Sequence, residues 1–134
     1  MQPRLVQVSA TAEDFAPLFG AASAAGVRIG WLDLAAAPAV VPELAAAAEA
    51  GALRAVSVSG AHVLSLKTLA GEPVLGDVIR EHFTGCRLLL VRGEVDAPRL
   101  SADPDGWRVR PSGGDERLFS TEELLNALRS PNFP

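Results

Sequence analysis

The chain has 134 residues, the length of one domain, and 49% of them are apolar, so it can bury a core and is not a disordered chain. Its formal net charge is −4 at a sequence pI near 5.1, which argues against a general nucleic-acid binder, because such proteins present a basic face. No apolar run reaches the roughly 18 residues that span a bilayer, and one cysteine excludes an intramolecular disulfide.

The N-terminal stretch MQPRLVQVSATAEDF lacks the continuous apolar core of a secretory signal. Together with the single cysteine, this predicts a cytoplasmic protein without membrane contact. The protein is expected to be bacterial. The chain is rich in alanine and has eleven arginines against one lysine, Lys67, and we interpret this skew as base-composition bias in the gene. Because the bias supplies arginine freely, the identity of Lys67 is more informative than that of any one arginine.

The N-terminal part of the chain alternates strands with short helices. A strand is predicted over Leu5–Val8, and Thr11 with Asp14 resembles a weak capping box for a helix that ends at Gly26. Pro17 leaves two helix starts open: it lies inside the helix if Thr11 is the cap, and in the tolerated first turn if Asp14 is the cap.

The next segments predict a second strand, a short helix and a hairpin. The strand covers Val27–Leu34, and a loop framed by Pro38 and Pro42 follows it. The helix begins at Pro42 and ends before Gly51. The stretch LRAVSVSGAHVLSLK then predicts two antiparallel strands that meet at a Ser-Gly turn.

The C-terminal part changes in style after one more helix and a buried strand. Pro73 lies near the start of that helix, and RLLLV is typical of a central strand covered on both faces. Two strong turns then separate short alternating strands, which predicts an antiparallel meander. Ser120 and Glu123 form a capping box for the last helix.

These elements predict one α/β domain over residues 1–134, with a short tail at 130–134. Its sheet is mixed, with a parallel N-terminal half and an antiparallel C-terminal meander, and the helices pack on it.

His82 and Cys86 are four residues apart, the spacing at which two side chains on one helix bind a metal or form a nucleophile–base pair. Gly85 predicts that the helix ends before Cys86, so that geometry is lost. We therefore interpret His82 as stabilising a helix C-terminus and Cys86 as a buried residue.

His62 follows Ser59 at a turn, without the elbow motif of a serine hydrolase. No metal, cofactor or catalytic residue is predicted.

The loops after the N-terminal strands are a second candidate site, because ligands of parallel sheets bind at the carboxyl ends of the strands. No glycine-rich phosphate motif occurs in the chain. The lone lysine is placed to pair with a phosphate or carboxylate, unless it only discourages pairing of an edge strand. The predicted ligand is a small anionic metabolite, and the candidate ligand-binding residues are Ser9, Thr11, Asp33, Ser59 and Lys67.

Arginines of the meander form a third candidate, as a patch that binds an anion or an acidic protein partner. Arg108 and Arg110 must share one face of their strand, and Arg99 and Arg117 on flanking strands can join them. Trp107 projects to the opposite face, so the aromatic stacking expected for RNA or single-stranded DNA is missing. The alternative interpretation is a solvated face of mixed charge.

The favoured function is a non-catalytic binding or accessory domain that acts through protein–protein contact or self-association, because every familiar catalytic constellation is missing or broken. The alternative is a small ligand-binding or transferase-like enzyme that holds an anionic metabolite at the carboxyl ends of the N-terminal strands. An enzyme requires a concave pocket where the candidate residues converge. A binding module requires an exposed patch that is apolar or rimmed by arginine.

Overall fold

The computed structural model describes residues 2–34, 41–131 and 133–134, so Pro38 of the predicted loop lies outside the described residues. The strands are β1 (Arg4–Val8), β2 (Ile29–Asp33), β3 (Arg54–Ser59), β4 (His62–Lys67), β5 (Leu88–Arg92), β6 (Arg99–Asp103), β7 (Gly106–Arg110) and β8 (Arg117–Phe119). The helices are α1 (Ala16–Ala24), α2 (Pro42–Glu49), α3 (Leu75–His82) and α4 (Thr121–Ala127), and a 3-10 helix (Ala12–Phe15) precedes α1.

Contacts along the chain divide it into two compact units. The first unit comprises Met1–Ala35 and Val78–Pro134, and it contains the large sheet. The second unit, Ala36–Asp77, contains α2 and the hairpin of β3 and β4. The predicted α/β class, with a mixed sheet and packed helices, is confirmed. The prediction of one domain over residues 1–134 is not tested by this division and stays a prediction.

The large sheet has the strand order β2-β5-β1-β6-β7-β8. Strand β5 lies between β1 and β2 and runs parallel to both, and its residues Leu88–Val91 are fully buried, as the run RLLLV predicts. Strand β6 joins β1 in parallel at the Gln7–Arg99 pair, and β6, β7 and β8 are antiparallel. The parallel half and the antiparallel meander are therefore both confirmed.

One face of this sheet forms the core with the 3-10 helix, α1 and α4. Phe15 stacks on Trp107 with ring centroids 5.7 Å apart and planes at 18°, and its centroid is 6.0 Å from that of Trp31. The indole Nε1 of Trp107 donates to Thr121 Oγ1 at 2.9 Å, so the buried ring keeps a polar partner at the start of α4.

Neither predicted cap, Thr11 or Asp14, is the N-cap of α1, which begins at Ala16 after Phe15; the Thr11–Asp14 capping box belongs to the 3-10 helix that precedes it. The Asp14 carboxylate accepts hydrogen bonds from the backbone N–H and the hydroxyl of Thr11, at 3.2 and 3.1 Å, and Pro17 lies in the first turn of α1. Ser120 and Glu123 form the predicted capping box of α4. The backbone N–H and then the hydroxyl of Ser120 hold the pKa of Glu123 below its usual range, because both stabilise the carboxylate.

The predicted C-terminal tail is attached to the first unit. Phe133 is buried, and the Arg4 guanidinium lies 5.5 Å from the centre of its ring. Arg4 also donates a hydrogen bond to the carbonyl of Ser130.

Phe83 lies on the opposite face of the sheet, over Gly30 of the edge strand β2. Gly30 is the register partner of Leu89, and a Cβ added at Gly30 would lie 2.5 Å from Phe83 Cδ1 and 3.1 Å from Leu89 Cδ1. The missing side chain at Gly30 is therefore what allows Phe83 to lie on the sheet.

Replacing Gly30 by alanine should destabilise the first unit by about 1–3 kcal/mol, because the ring of Phe83 must shift to admit the methyl group. Urea unfolding followed by tryptophan fluorescence measures the change. Gly20→Ala is the matched control: Gly20 lies in α1 with no atom near its missing Cβ, so this change should stabilise by about 0.5–1 kcal/mol. Equal effects of the two changes would contradict the packing described.

Candidate functional site

The His82–Cys86 stretch ends a helix, as predicted. Helix α3 stops at His82, Gly85 has φ +87°, and the backbone N–H of Cys86 donates to the carbonyl of Phe83 at 3.1 Å. Cys86 is half-buried rather than buried, because it precedes β5 instead of lying within it. Among the residues that the structure describes, no group of three or more His, Cys, Asp or Glu side chains is placed to hold a metal ion.

Two of the predicted ligand-binding residues already have polar partners in the first unit. Thr11 is bonded to Asp14, and Asp33, the last residue of β2, accepts from Arg92 Nη1 at 3.4 Å. Ser9 follows the end of β1, with β5 between β1 and β2. The carboxyl ends of these strands are therefore lined up as predicted, but the intervening strand separates Ser9 from Asp33.

Ser59 and Lys67 lie on the second unit, at opposite ends of its hairpin. Ser59 pairs with His62 at the tip, whereas Lys67 pairs with Arg54 at the open end. Five residue steps along β4 separate the two pairs, which is about 17 Å at the usual rise of a strand. The structure does not bring Ser59 and Lys67 together, and a role for them in ligand binding stays a prediction.

The meander places three of its four candidate arginines on one face. Arg99 and Arg110 are register partners, and Arg108 is two residues from Arg110 on the same strand. Arg117 is instead the partner of Val109, which points into the core, so it lies on the opposite face and does not join the other three. Its guanidinium lies 4.8 Å from the ring centre of Phe119.

Arg108 is neutralised by carboxylates of the meander itself. Its Nε donates to Asp103, and its Nη1 lies 2.9 Å from Glu116 Oε2. The backbone N–H of Asp105 and then Arg108 hold the pKa of Asp103 below its usual range, and these carboxylates raise the pKa of Arg108. Arg108 therefore fits the interpretation of a solvated, mixed-charge face.

Replacing Asp103 by asparagine should lower the free energy of unfolding at pH 7. It should also make that free energy fall less steeply as the pH is lowered. A carboxyl whose pKa is lower in the folded chain than in the unfolded chain stabilises the fold at any pH above its unfolded pKa. That contribution is lost as the pH falls through its folded pKa. The difference in unfolding free energy between wild type and Asp103→Asn should be complete at pH 7 and vanish well below about pH 4. It should also shrink in 1 M salt. Urea unfolding at several pH values measures it.

Asp115→Asn is the control for this change, because Asp115 forms no ion pair within residues 2–34, 41–131 and 133–134. A wild-type advantage over Asp103→Asn that stays constant down to pH 2 would be incompatible with the ion pair.

Arg99 and Arg110 differ from Arg108, since neither guanidinium group forms an ion pair or hydrogen bond with a described residue. Gln7 is the register partner of Arg99 on β1, so the three side chains form a row on one face.

Two clefts lie along this row, and Gln7, Arg99 and Arg110 line both. One of them, the Ser9 cleft, has a volume of about 200 Å³ and is also lined by Ser9, Ser101 and Glu116. The other, the Asp96 cleft, has a volume of about 240 Å³ and is also lined by Asp96 and Ser112.

The second unit carries an exposed apolar surface that was not predicted from the sequence. Val58 and Val63 are register partners with 72% and 67% of their surface exposed, and Val56, 52% exposed, lies beside them on the same face. We refer to Val56, Val58 and Val63 as the valine face. The alternate residues Ala55 and Leu66 are half-buried on the other face, and α2 packs against both strands.

The signal for this surface was present in the alternation VSVS, which places two valines on one side of β3. The sequence does not show that the single short helix α2 leaves one side of the hairpin uncovered.

Comparison with known proteins gives no assignment: no protein-family model matches the chain, and no curated protein matches its sequence. No helix among the described residues is long and apolar enough to cross a membrane.

Proposed function

We propose that this chain is a non-catalytic module that acts through protein–protein contact, and that the contact is self-association through the valine face. The observation that carries the proposal is the exposure of Val56, Val58 and Val63 on one face of a two-stranded sheet. Grouped apolar side chains exposed on a sheet are typical of a surface that another protein covers. A cytoplasmic, bacterial setting is part of the proposal and is supported by composition alone.

The size of the surface favours a weak and reversible contact. Fully burying a valine contributes about 1.5–3 kcal/mol, and the three valines are exposed by between 52% and 72%. Two copies together would bury six valines, which gives on the order of 6–12 kcal/mol, comparable with the about 4–15 kcal/mol that association costs. We therefore expect a dimer whose population depends on concentration.

A second copy fits this surface without bringing like charges together. Arg54 and Lys67 are register partners at the open end of the hairpin, and the tip lies at the other end. In a two-fold arrangement with antiparallel hairpins, the basic end of each copy lies over the tip of its partner. The outer edges of β3 and β4 pair with no other strand of the described chain, so the small sheet can also be extended.

The alternative, a ligand-binding or transferase-like enzyme, has less support. Its predicted residues in the second unit lie at opposite ends of a hairpin, and two of those in the first unit are engaged with Asp14 and Arg92. An active site requires its groups to converge within hydrogen-bonding reach of one substrate.

Changing Val58 and Val63 together to threonine should weaken the dimer at least tenfold in Kd, since hydroxyls replace methyl groups at the centre of the buried surface. Threonine keeps the β-branched shape that strands favour, so the hairpin should stay folded. Size-exclusion chromatography with light scattering, over a range of concentrations, measures the change.

Leu118→Thr is the control, because Leu118 is an exposed apolar residue on β8 of the first unit and should leave the dimer unchanged. A wild-type chain that stays monomeric at millimolar concentration would rule out the proposal, as would a dimer that the two threonines do not weaken.

A further inference from the structure

The exposed face of the meander holds two arginines in an arrangement that is unfavourable without a counter-charge. Arg99 and Arg110 lie directly opposite each other on antiparallel strands, where Cβ atoms are about 4.5–5.5 Å apart and like charges repel. Arg108, on the same face, has two carboxylate partners, whereas neither Arg99 nor Arg110 has one within the described ranges.

Polar side chains lie next to the Arg99–Arg110 pair on the side that faces the parallel strands. Gln7 continues the row onto β1, and Ser9 and Ser101 line the Ser9 cleft together with the two arginines. This cleft lies where β1 ends, and ligands of parallel sheets commonly bind at the carboxyl ends of their strands. The structure thus combines Ser9, predicted to bind a ligand, with arginines predicted to bind a partner.

The acidic residues distinguish the two clefts. Glu116 lines the Ser9 cleft, but its carboxylate is paired with Arg108 at 2.9 Å. Asp96 lines the other cleft and forms no ion pair in the described part of the chain, so its charge opposes an incoming anion there. An anion is therefore favoured on the Ser9 side of the arginine pair.

We infer that Arg99 and Arg110 bind a doubly charged oxyanion of the phosphate class in the Ser9 cleft. Guanidinium groups bind phosphate oxygens through two parallel hydrogen bonds, and two of them balance the two negative charges of a phosphate group. A volume of about 200 Å³ is smaller than a pocket for a whole drug-sized ligand, which matches a phosphate group rather than an enclosed metabolite. The site lies within the first unit and is independent of self-association through the hairpin.

Titration of the full chain with inorganic phosphate tests this inference, with sodium chloride adjusted to hold the ionic strength constant. Calorimetry should show saturable binding at one site per chain, and the thermal unfolding midpoint should rise with phosphate concentration. Arg110→Gln should raise the Kd for phosphate at least tenfold. Arg117→Gln is the control: it removes an arginine from the adjacent strand but from the opposite face, so the Kd should stay within twofold.

Further measurements separate binding from folding and from nonspecific charge effects. Without phosphate, Arg110→Gln should unfold at the same temperature as wild type or higher, because it removes a like-charge pair. Acetate, with a single charge, should bind more weakly than phosphate. Glycerol 3-phosphate, used as a second probe, should bind tighter than inorganic phosphate if the site holds a phosphate ester, and more weakly if it holds the free ion. No saturable binding, equal binding by Arg110→Gln, or equal binding of acetate would overturn the inference.

Discussion

The stack of Phe15 on Trp107 joins the two halves of the large sheet unit. Phe15 follows the first parallel strand, and Trp107 lies in the antiparallel meander, with ring centroids 5.7 Å apart. Once Trp107 is committed to the core, the two-residue alternation of its strand places Arg108 and Arg110 on the opposite face. The 3-10 helix, α1 and α4 pack on the Trp107 face, and Arg108 and Arg110 are exposed on the other face.

The two surfaces considered for function differ in chemistry because they are left exposed for different reasons. The arginine face belongs to a large sheet whose other side takes up the core helices, and it carries charges that only partly cancel within the chain. The valine face belongs to a two-stranded sheet that, among the described residues of its unit, packs with one short helix, which is too little to cover both of its sides. The first surface is the one proposed to bind an anion, and the second is the one proposed to self-associate.

Local patterns were sufficient to predict the capping box of α4, the end of α3 and the common face of Arg108 and Arg110, because each depends on a few adjacent residues. The face of Arg117 was not predictable, since it depends on the register of a three-residue strand after a loop, and a shift of one residue reverses the face. The Ser9 cleft depends on the pairing of Gln7 with Arg99, which are distant in sequence. Strand order and the exposure of the valine face likewise follow from long-range packing.

Amide chemical shifts recorded over a dilution series test self-association through the hairpin. The shifts that change with concentration should belong to residues of Arg54–Lys67, while those of the meander should stay constant. Shifts that do not change at any concentration, or that change in the meander instead of the hairpin, would contradict it.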